Sequence, residues 1–380
     1  MYSSVKQCAV VLGVLSLQCT FYTRRPGDNQ TSNQTPPDSS SSAGNGGGSA
    51  VVGGLTGDPL PGDWLEVSGN LADVPSGFGN LTLASAKPDE DLIIAGLSEG
   101  GLWASKSGGL SWTQLGTGKG SSTFTNRPSA IVYDPVAPAS FWFSGTYGDG
   151  VFRTTDDGET FQHLGTIDRI DLVSVAFDDP QRQILMASVH EQATVYRSTD
   201  GGSKWLDITE NLGSDVNTCG WPLVIDSQTH LVACSQFGSG MGGIFKTIDG
   251  GDTWQRVSEV AGDLAPLLAS DGTIYWSVQG DAGLLRSEDS GDTWTRLAIS
   301  VIAAHPIELP DGRIATVDKQ TVVTSADHGD NWKRASPVFP YQAVGVIYSS
   351  FQQAFFIWHL SADPMIPSDA ISRFAVSDGG

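Results

Sequence analysis

Thr247-Ile-Asp-Gly-Gly-Asp-Thr-Trp254 belongs to a set of six short, similar stretches. All follow the pattern [Ser/Thr]-x-[Asp/Ser]-x-Gly-x-polar-[Trp/Phe]. The others are Ser105–Trp112, Thr154–Phe161, Ser198–Trp205, Ser287–Trp294 and Ser325–Trp332. Their closing aromatic residues are spaced by 49, 44, 49, 40 and 38 positions. A period of about 40–50 residues built from short alternating strands is the mark of a β-propeller, in which each repeat is one blade.

The residue types of the stretch suit a turn. Ser/Thr at the first position and Asp at the third can hydrogen-bond nearby backbone, and Gly at the fifth permits a left-handed conformation. The aromatic residue opens the next strand with a large apolar face. Asp156, Asp200, Asp249, Asp289 and Asp327 recur with the repeat, as do Ser105, Trp112, Phe161, Trp205, Trp254, Trp294 and Trp332. Residues present in every unit are most simply explained by what every unit needs, so they are assigned to the scaffold and not to catalysis or metal binding.

Around each stretch the strands keep one order. In the second unit PSAIVYDP (128–135), SFWFSGTY (140–147) and VFRTT (151–155) precede the signature, and FQHLG (161–165) follows. Alternation and turn residues make four antiparallel strands per unit, the inner one first. After Trp332 come AVGVIYSSF (343–351), QAFFIWHL (353–360) and AISRFAV (370–376), with no seventh signature. Near the other end Trp64 precedes LEVSG and stands 48 residues before Trp112, one full repeat. The expected fold is therefore all-β, a seven-bladed β-propeller of four-stranded antiparallel blades. It is closed by the N-terminal strand Trp64–Val67 joining the C-terminal blade.

The signature resembles the Asp-box, or bacterial neuraminidase repeat, of the sialidase-like superfamily. The resemblance implies a propeller but not one activity. Sialidases of this group use three arginines, a Tyr/Glu pair and an Asp. Their Phe-Arg-Ile-Pro motif is absent here, and Asn126-Arg127-Pro128 is only a partial echo. Xyloglucan-active relatives use two carboxylates, commonly between two propellers, whereas this chain has room for one. Other carriers of the repeat are non-catalytic platforms, among them assembly factors and sorting receptors.

Forty-two Asp and Glu against 21 Lys and Arg give a net charge of −21. Such acidity argues against nucleic acid as a partner, because phosphate binding needs neutralising cations. The first 19 residues, MYSSVKQCAVVLGVLSLQC, carry one Lys before a short apolar run, Ala9–Leu17, that ends at Cys19. This resembles a lipoprotein signal with Cys19 as the lipidated residue, although Gln18 departs from the usual small residue. Residues 20–62 are rich in Ser, Gly and Pro and are expected to be a disordered tether. The propeller is expected over 63–380. The chain would then be an exported monomer at the outer membrane or cell surface, or alternatively secreted, touching membrane only through a lipid anchor. Cys219 and Cys234 flank a hairpin about Asp226–Thr229, and a disulfide between them is expected in an exported protein.

In such a blade the loops joining strands two and three, and those joining successive blades, share the face opposite the signatures. Asp149, Glu191, Asp281 and Asp318 lie in these loops as candidate carboxylates. Arg127, Tyr147, Arg169 and His190 are candidate ligand-binding residues, together with Tyr341, Trp358 and His359. No HExxH, CxxC or clustered His/Cys spacing is present, so no metal and no cofactor is expected. Gly96-Leu-Ser-Glu-Gly100 matches a nucleophile-elbow pattern but lies in a hairpin, not at a strand-to-helix turn. The function expected is a non-catalytic binding or assembly platform for a glycan or protein. The alternative is a glycoside hydrolase acting on extracellular polysaccharide.

Overall fold

The computed structural model describes residues 55–74, 81–86, 90–216, 218–235, 240–279, 283–297, 299, 304–358 and 370–376. Cys19, most of the expected tether, Asp281 and His359 lie outside them. No helix of the described residues is long and apolar enough to cross a membrane.

The described residues form seven sheets. Blade 1 contains Leu81–Ala86, Leu92–Leu97, Gly101–Ser105 and Thr113–Gln114; blade 2 contains Arg127–Tyr133, Phe141–Thr146, Val151–Thr154 and Gln162–His163. Blade 3 is Ile170–Val175, Leu185–Val189, Val195–Ser198 and Leu206–Asp207; blade 4 is Cys219–Val224, His230–Cys234, Gly243–Thr247 and Gln255–Ser258. Blade 5 is Gly262–Leu268, Ile274–Val278, Leu284–Ser287 and Thr295–Leu297; blade 6 is Ile307–Glu308, Ile314–Val317, Val322–Ser325 and Trp332–Arg334. Blade 7 joins Gly345–Ser349, Ala354–Trp358 and Ile371–Ala375 to Leu65–Glu66 from the other end of the chain. That closing pair is antiparallel, with Leu65 opposite Arg373 and Glu66 opposite Ser372.

Each second strand reads as a continuous apolar run because a neighbouring blade covers each of its faces. Phe141–Thr146 and Leu185–Val189 are buried at every position. Successive blades share interblade cores. Leu92, Ile94 and Leu102 of blade 1 meet Phe141, Phe143 and Phe152 of blade 2, and Phe356 and Ile371 of blade 7 meet Ile93 and Ala95 of blade 1. The second of these cores completes the ring.

The repeated signatures are turn clamps. In the fourth, Thr247 Oγ1 donates to Asp249 Oδ1 (2.7 Å) and accepts the Gly251 amide (2.9 Å). Asp249 also accepts the Thr253 amide (2.9 Å) and hydroxyl (2.6 Å). Hydrogen bonds from Thr253 hold the Asp249 carboxyl down at about 2. The third, fifth and sixth signatures repeat the amide bond to Asp, from Lys204, Thr293 and Asn331. In the first, Ser107 replaces Asp and accepts the Ser111 amide (3.0 Å) through its hydroxyl. With their oxygens bound to their own turns, these acids have little capacity left for a ligand, and no group of three metal-ligating side chains occurs among the described residues.

The fifth-position glycine is needed for two reasons. Gly329 has φ +89°, and a Cβ there would lie 2.4 Å from Leu297 Cδ1 of the preceding blade. Gly329→Ala is expected to cost about 2 kcal/mol through overpacking and backbone strain. A thermal melt unchanged from wild type would contradict that.

The chain joins the ring earlier than residue 63. Leu55–Thr56 runs parallel to the outer strand of blade 6, Leu55 opposite Trp332 and Thr56 opposite Lys333. Arg334 Nη1 donates to the Gly57 carbonyl (2.7 Å), and the Leu60 amide donates to the Ser336 carbonyl (3.0 Å). Leu55–Leu60 thus forms a strap over an outer sheet edge that sequence reading leaves in the tether. Covering that edge protects it from intermolecular pairing.

Candidate functional site

Four consecutive inner strands are irregular near the end where the blade-to-blade loops lie. Pairing with the second strand shifts between Pro128 and Ala130 in blade 2, and between Ile170 and Leu172 in blade 3. It shifts again between Gly220 and Leu223 in blade 4, and between Asp263 and Leu267 in blade 5. Such bulges re-aim side chains and are tolerated because the inner strand has a free edge. Trp221 (φ 55°) and Leu264 (φ 61°) take left-handed conformations within them.

One cluster forms where blades 2 and 3 meet. His190 Nδ1 lies 2.6 Å from Asp171 Oδ1, and His190 Nε2 lies 3.4 Å from the Tyr147 hydroxyl and 3.8 Å from Glu191 Oε1. A carboxylate accepts, so the Nδ1 proton is held toward Asp171 and Nε2 faces the tyrosine. The Arg169 guanidinium sits 5.7 Å from the Tyr147 ring centre. Arg127 stands opposite Thr146, the residue before Tyr147, which brings it beside the same group, and burial lowers its pKa. The backbone binds three loops in series: the Arg169 amide donates to Gly148 O (2.9 Å) and the His190 amide to Arg169 O (2.6 Å). Tyr147, Arg169 and Glu191 all have φ near +57° (59°, 56° and 57°), a conformation that bulky residues adopt only when their surroundings impose it.

Tyr147 is 56% exposed, so the cluster presents an aromatic face to solvent, with the half-buried Arg127 and Arg169 beside it. Behind it, Asp171 and Asp263 sit in the bulges of blades 3 and 5, both buried. Burial, with a smaller push from Asp171, raises the Asp263 carboxyl to about 6. Between them, in blade 4, Gly220 leaves space that a Cβ would fill 3.9 Å from Asp171 Oδ2.

Of the residues singled out from sequence, Arg127, Tyr147, Arg169, His190 and Glu191 come together. Asp149 is exposed on the same loop, its carbonyl accepting from Asn126 Nδ2 (2.6 Å). Asp318 instead caps its own turn through the Gln320 and Thr321 amides (2.7 and 2.6 Å). Tyr341 is a packing residue whose hydroxyl donates to Ala370 O (3.2 Å), and burial raises it to about 12. Trp358 lies over Gly345 and packs on the core between blades 7 and 1. Asp171 and Asp263 are not singled out from sequence. The signals available were a carboxylate second in the apolar first strands of blades 3 and 5, and prolines inside three first strands (Pro128, Pro222, Pro266). Proline inside a strand marks a bulge or a free edge. Cys219 and Cys234 stand opposite each other at the same end of blade 4 and are disulfide-bonded.

No family profile of known proteins matches the chain. The photosystem II assembly lipoprotein Ycf48 of Synechococcus sp. (strain CC9902) is 29% identical over 136 residues, 34% of this chain and 38% of that protein. The match thus spans little more than a third of that relative's length. Among solved structures, YCF48 bound to D1 peptide superposes with a TM-score of 0.53 at 15% identity, covering 86% of this chain and 100% of that one. The GH74 xyloglucanase from Xanthomonas campestris gives 0.50 at 15% identity, over 82% of this chain and 55% of its own. At these identities what this chain shares with the two solved structures is the propeller fold.

Proposed function

We propose that this chain is an exported propeller, tethered through a lipid on Cys19, that acts as a non-catalytic platform for a protein partner. The partner is held at the rim formed by blades 2 and 3. The observation that carries this reading is which residues converge. Arg127, Tyr147, Arg169, His190 and Glu191 meet on one partly exposed surface, while Asp318, another loop carboxylate read from sequence, is taken up by its own turn. An exposed aromatic ring flanked by arginines suits an extended peptide, which offers carbonyl and carboxylate acceptors to the guanidinium groups. The likeness to a propeller solved with a bound peptide agrees with such a partner but does not name it.

A second reading has its own support. Asp263, held protonated up to about 6 by burial, and Asp171 behind the rim resemble the unequal acid pair of a hydrolase. One experiment separates the two: screening the purified full chain on peptide and glycan arrays, with hydrolysis of the same glycans followed in parallel. Under the platform reading, peptide binding weakens about tenfold in Arg127→Ala and Tyr147→Ala, equivalent to about 1.4 kcal/mol each. Under that reading no glycan is cleaved. Hydrolysis abolished by Asp263→Asn would replace it with the hydrolase.

A further inference from the structure

The strap has a direction, and the direction orients the molecule. In blades 1 to 6 the outer strand starts at the signature turn and runs toward the blade-to-blade loops. In blade 6, Trp332 closes the signature and Ser336 lies beyond the strand on the way to the loop. The strap contacts climb in the same order: Leu55 and Thr56 at Trp332 and Lys333, Gly57 at Arg334, Leu60 at Ser336. Three contacts of different kinds give one polarity: a parallel pair, a guanidinium bond and a backbone bond. Leu55, where the described strap begins, therefore lies at the signature end of the blade 6 outer strand.

We propose that the strap makes the propeller a directional display, in which the bilayer surface holding the N-terminal segment faces the signature turns and the blade 2–3 rim points away. This rests on the tethered-platform reading for its consequence, but the polarity itself does not. Blade strands of four to seven residues span on the order of 15–20 Å. The rim then stands about that far beyond the anchored face, open to a partner arriving from the bulk side. The domain's negative charge means that an anionic bilayer would repel it, so orientation must come from the chain and not from charge attraction.

Two measurements on the full chain test this. The first places a photo-crosslinking amino acid at Gly54 and maps the products by mass spectrometry. Crosslinks to the sixth signature, Asp327–Trp332, are expected; crosslinks to Pro337–Tyr341 in their place would overturn the polarity. The second couples Cys19, in a Cys8→Ser background, to a maleimide lipid in phosphatidylcholine vesicles carrying a headgroup quencher. A fluorescent amino acid is placed at Ile248, in the fourth signature, or at Gln192, on the rim. Quenching at 248 is expected to exceed that at 192 several-fold. The excess should vanish when Thr56→Pro and Leu60→Pro break the strap. Equal quenching with the strap intact would defeat the display proposal while leaving the binding assay above unaffected. Loss of peptide binding with quenching as expected would defeat only the platform reading.

Discussion

Between pH 6.5 and 4, His230 and Asp263 are expected to contribute opposite, partly cancelling changes in unfolding free energy. His230 is fully buried in blade 4, and neither ring nitrogen has a hydrogen-bond partner; burial, then the nearby charge of Arg197, lowers it to about 4 from 6.5. The unfolded chain binds a proton in that window that the folded chain refuses, so this group makes stability fall as pH drops. Asp263 behaves in the opposite sense. Burial raises it to about 6 from 3.8, so the folded chain takes up its proton first and gains stability as pH drops. At 1.36 kcal/mol per pKa unit, His230 removes about 3 kcal/mol over the window and Asp263 returns about 2. Single variants uncover the two halves. Relative to the double variant, Asp263→Asn, which keeps the histidine, should lose about 3 kcal/mol between pH 6.5 and 4. His230→Leu, which keeps the acid, should gain about 2. Urea unfolding at a series of pH values measures both, and using the double variant as reference cancels the background from the other carboxylates. Parallel pH curves for all four proteins would show that neither group titrates as its burial implies.

The two groups also mark where sequence reading succeeds and where it stops. The blade count was legible because each signature is a local device: a hydroxyl, a carboxylate, a glycine and an aromatic within eight residues, each bonded to its own turn. Ring closure was legible because Trp64 keeps the period of the signatures. The rim cluster was half legible. Tyr147, Arg169, His190 and Glu191 sit in loops whose place follows from blade order. Their convergence depends on inner-strand bulges, which are properties of register between strands. Asp171 and Asp263 read as polar interruptions of apolar strands until the bulges turn them toward the interior. Asp318 has the same loop position in its blade as His190 in blade 3, yet its carboxylate is taken by the Gln320 and Thr321 amides. Loop position alone does not separate a capping acid from one available to a ligand.

Opening the ring should produce the largest loss of all. Leu65–Glu66 is the outer strand of blade 7, and its flanks anchor two cores. The Trp64 ring lies 5.6 Å from Phe339 and 5.7 Å from Phe374, with Nε1 donating to Pro337 O (3.2 Å). Val67 is 2% exposed in the core between blades 7 and 1, and its amide donates to Ile371 O (2.8 Å). Trp64→Ala, at a partly buried site, is expected to cost about 3 kcal/mol, lowering the melting temperature by about 6 °C or more. Removing residues 1–67 goes further. It strips the partner from Ile371–Ala375, uncovers the edge of blade 6 and opens the core beside blade 1. An exposed edge of that kind pairs with other chains, so the truncated protein should elute as aggregate and show no cooperative melt. Removing residues 1–54 takes away none of these contacts and should leave a monomer that melts with the full chain. A cooperative, monomeric protein lacking residues 1–67 would mean that the interblade cores alone hold the propeller shut, with the closing strand serving only to position the strap.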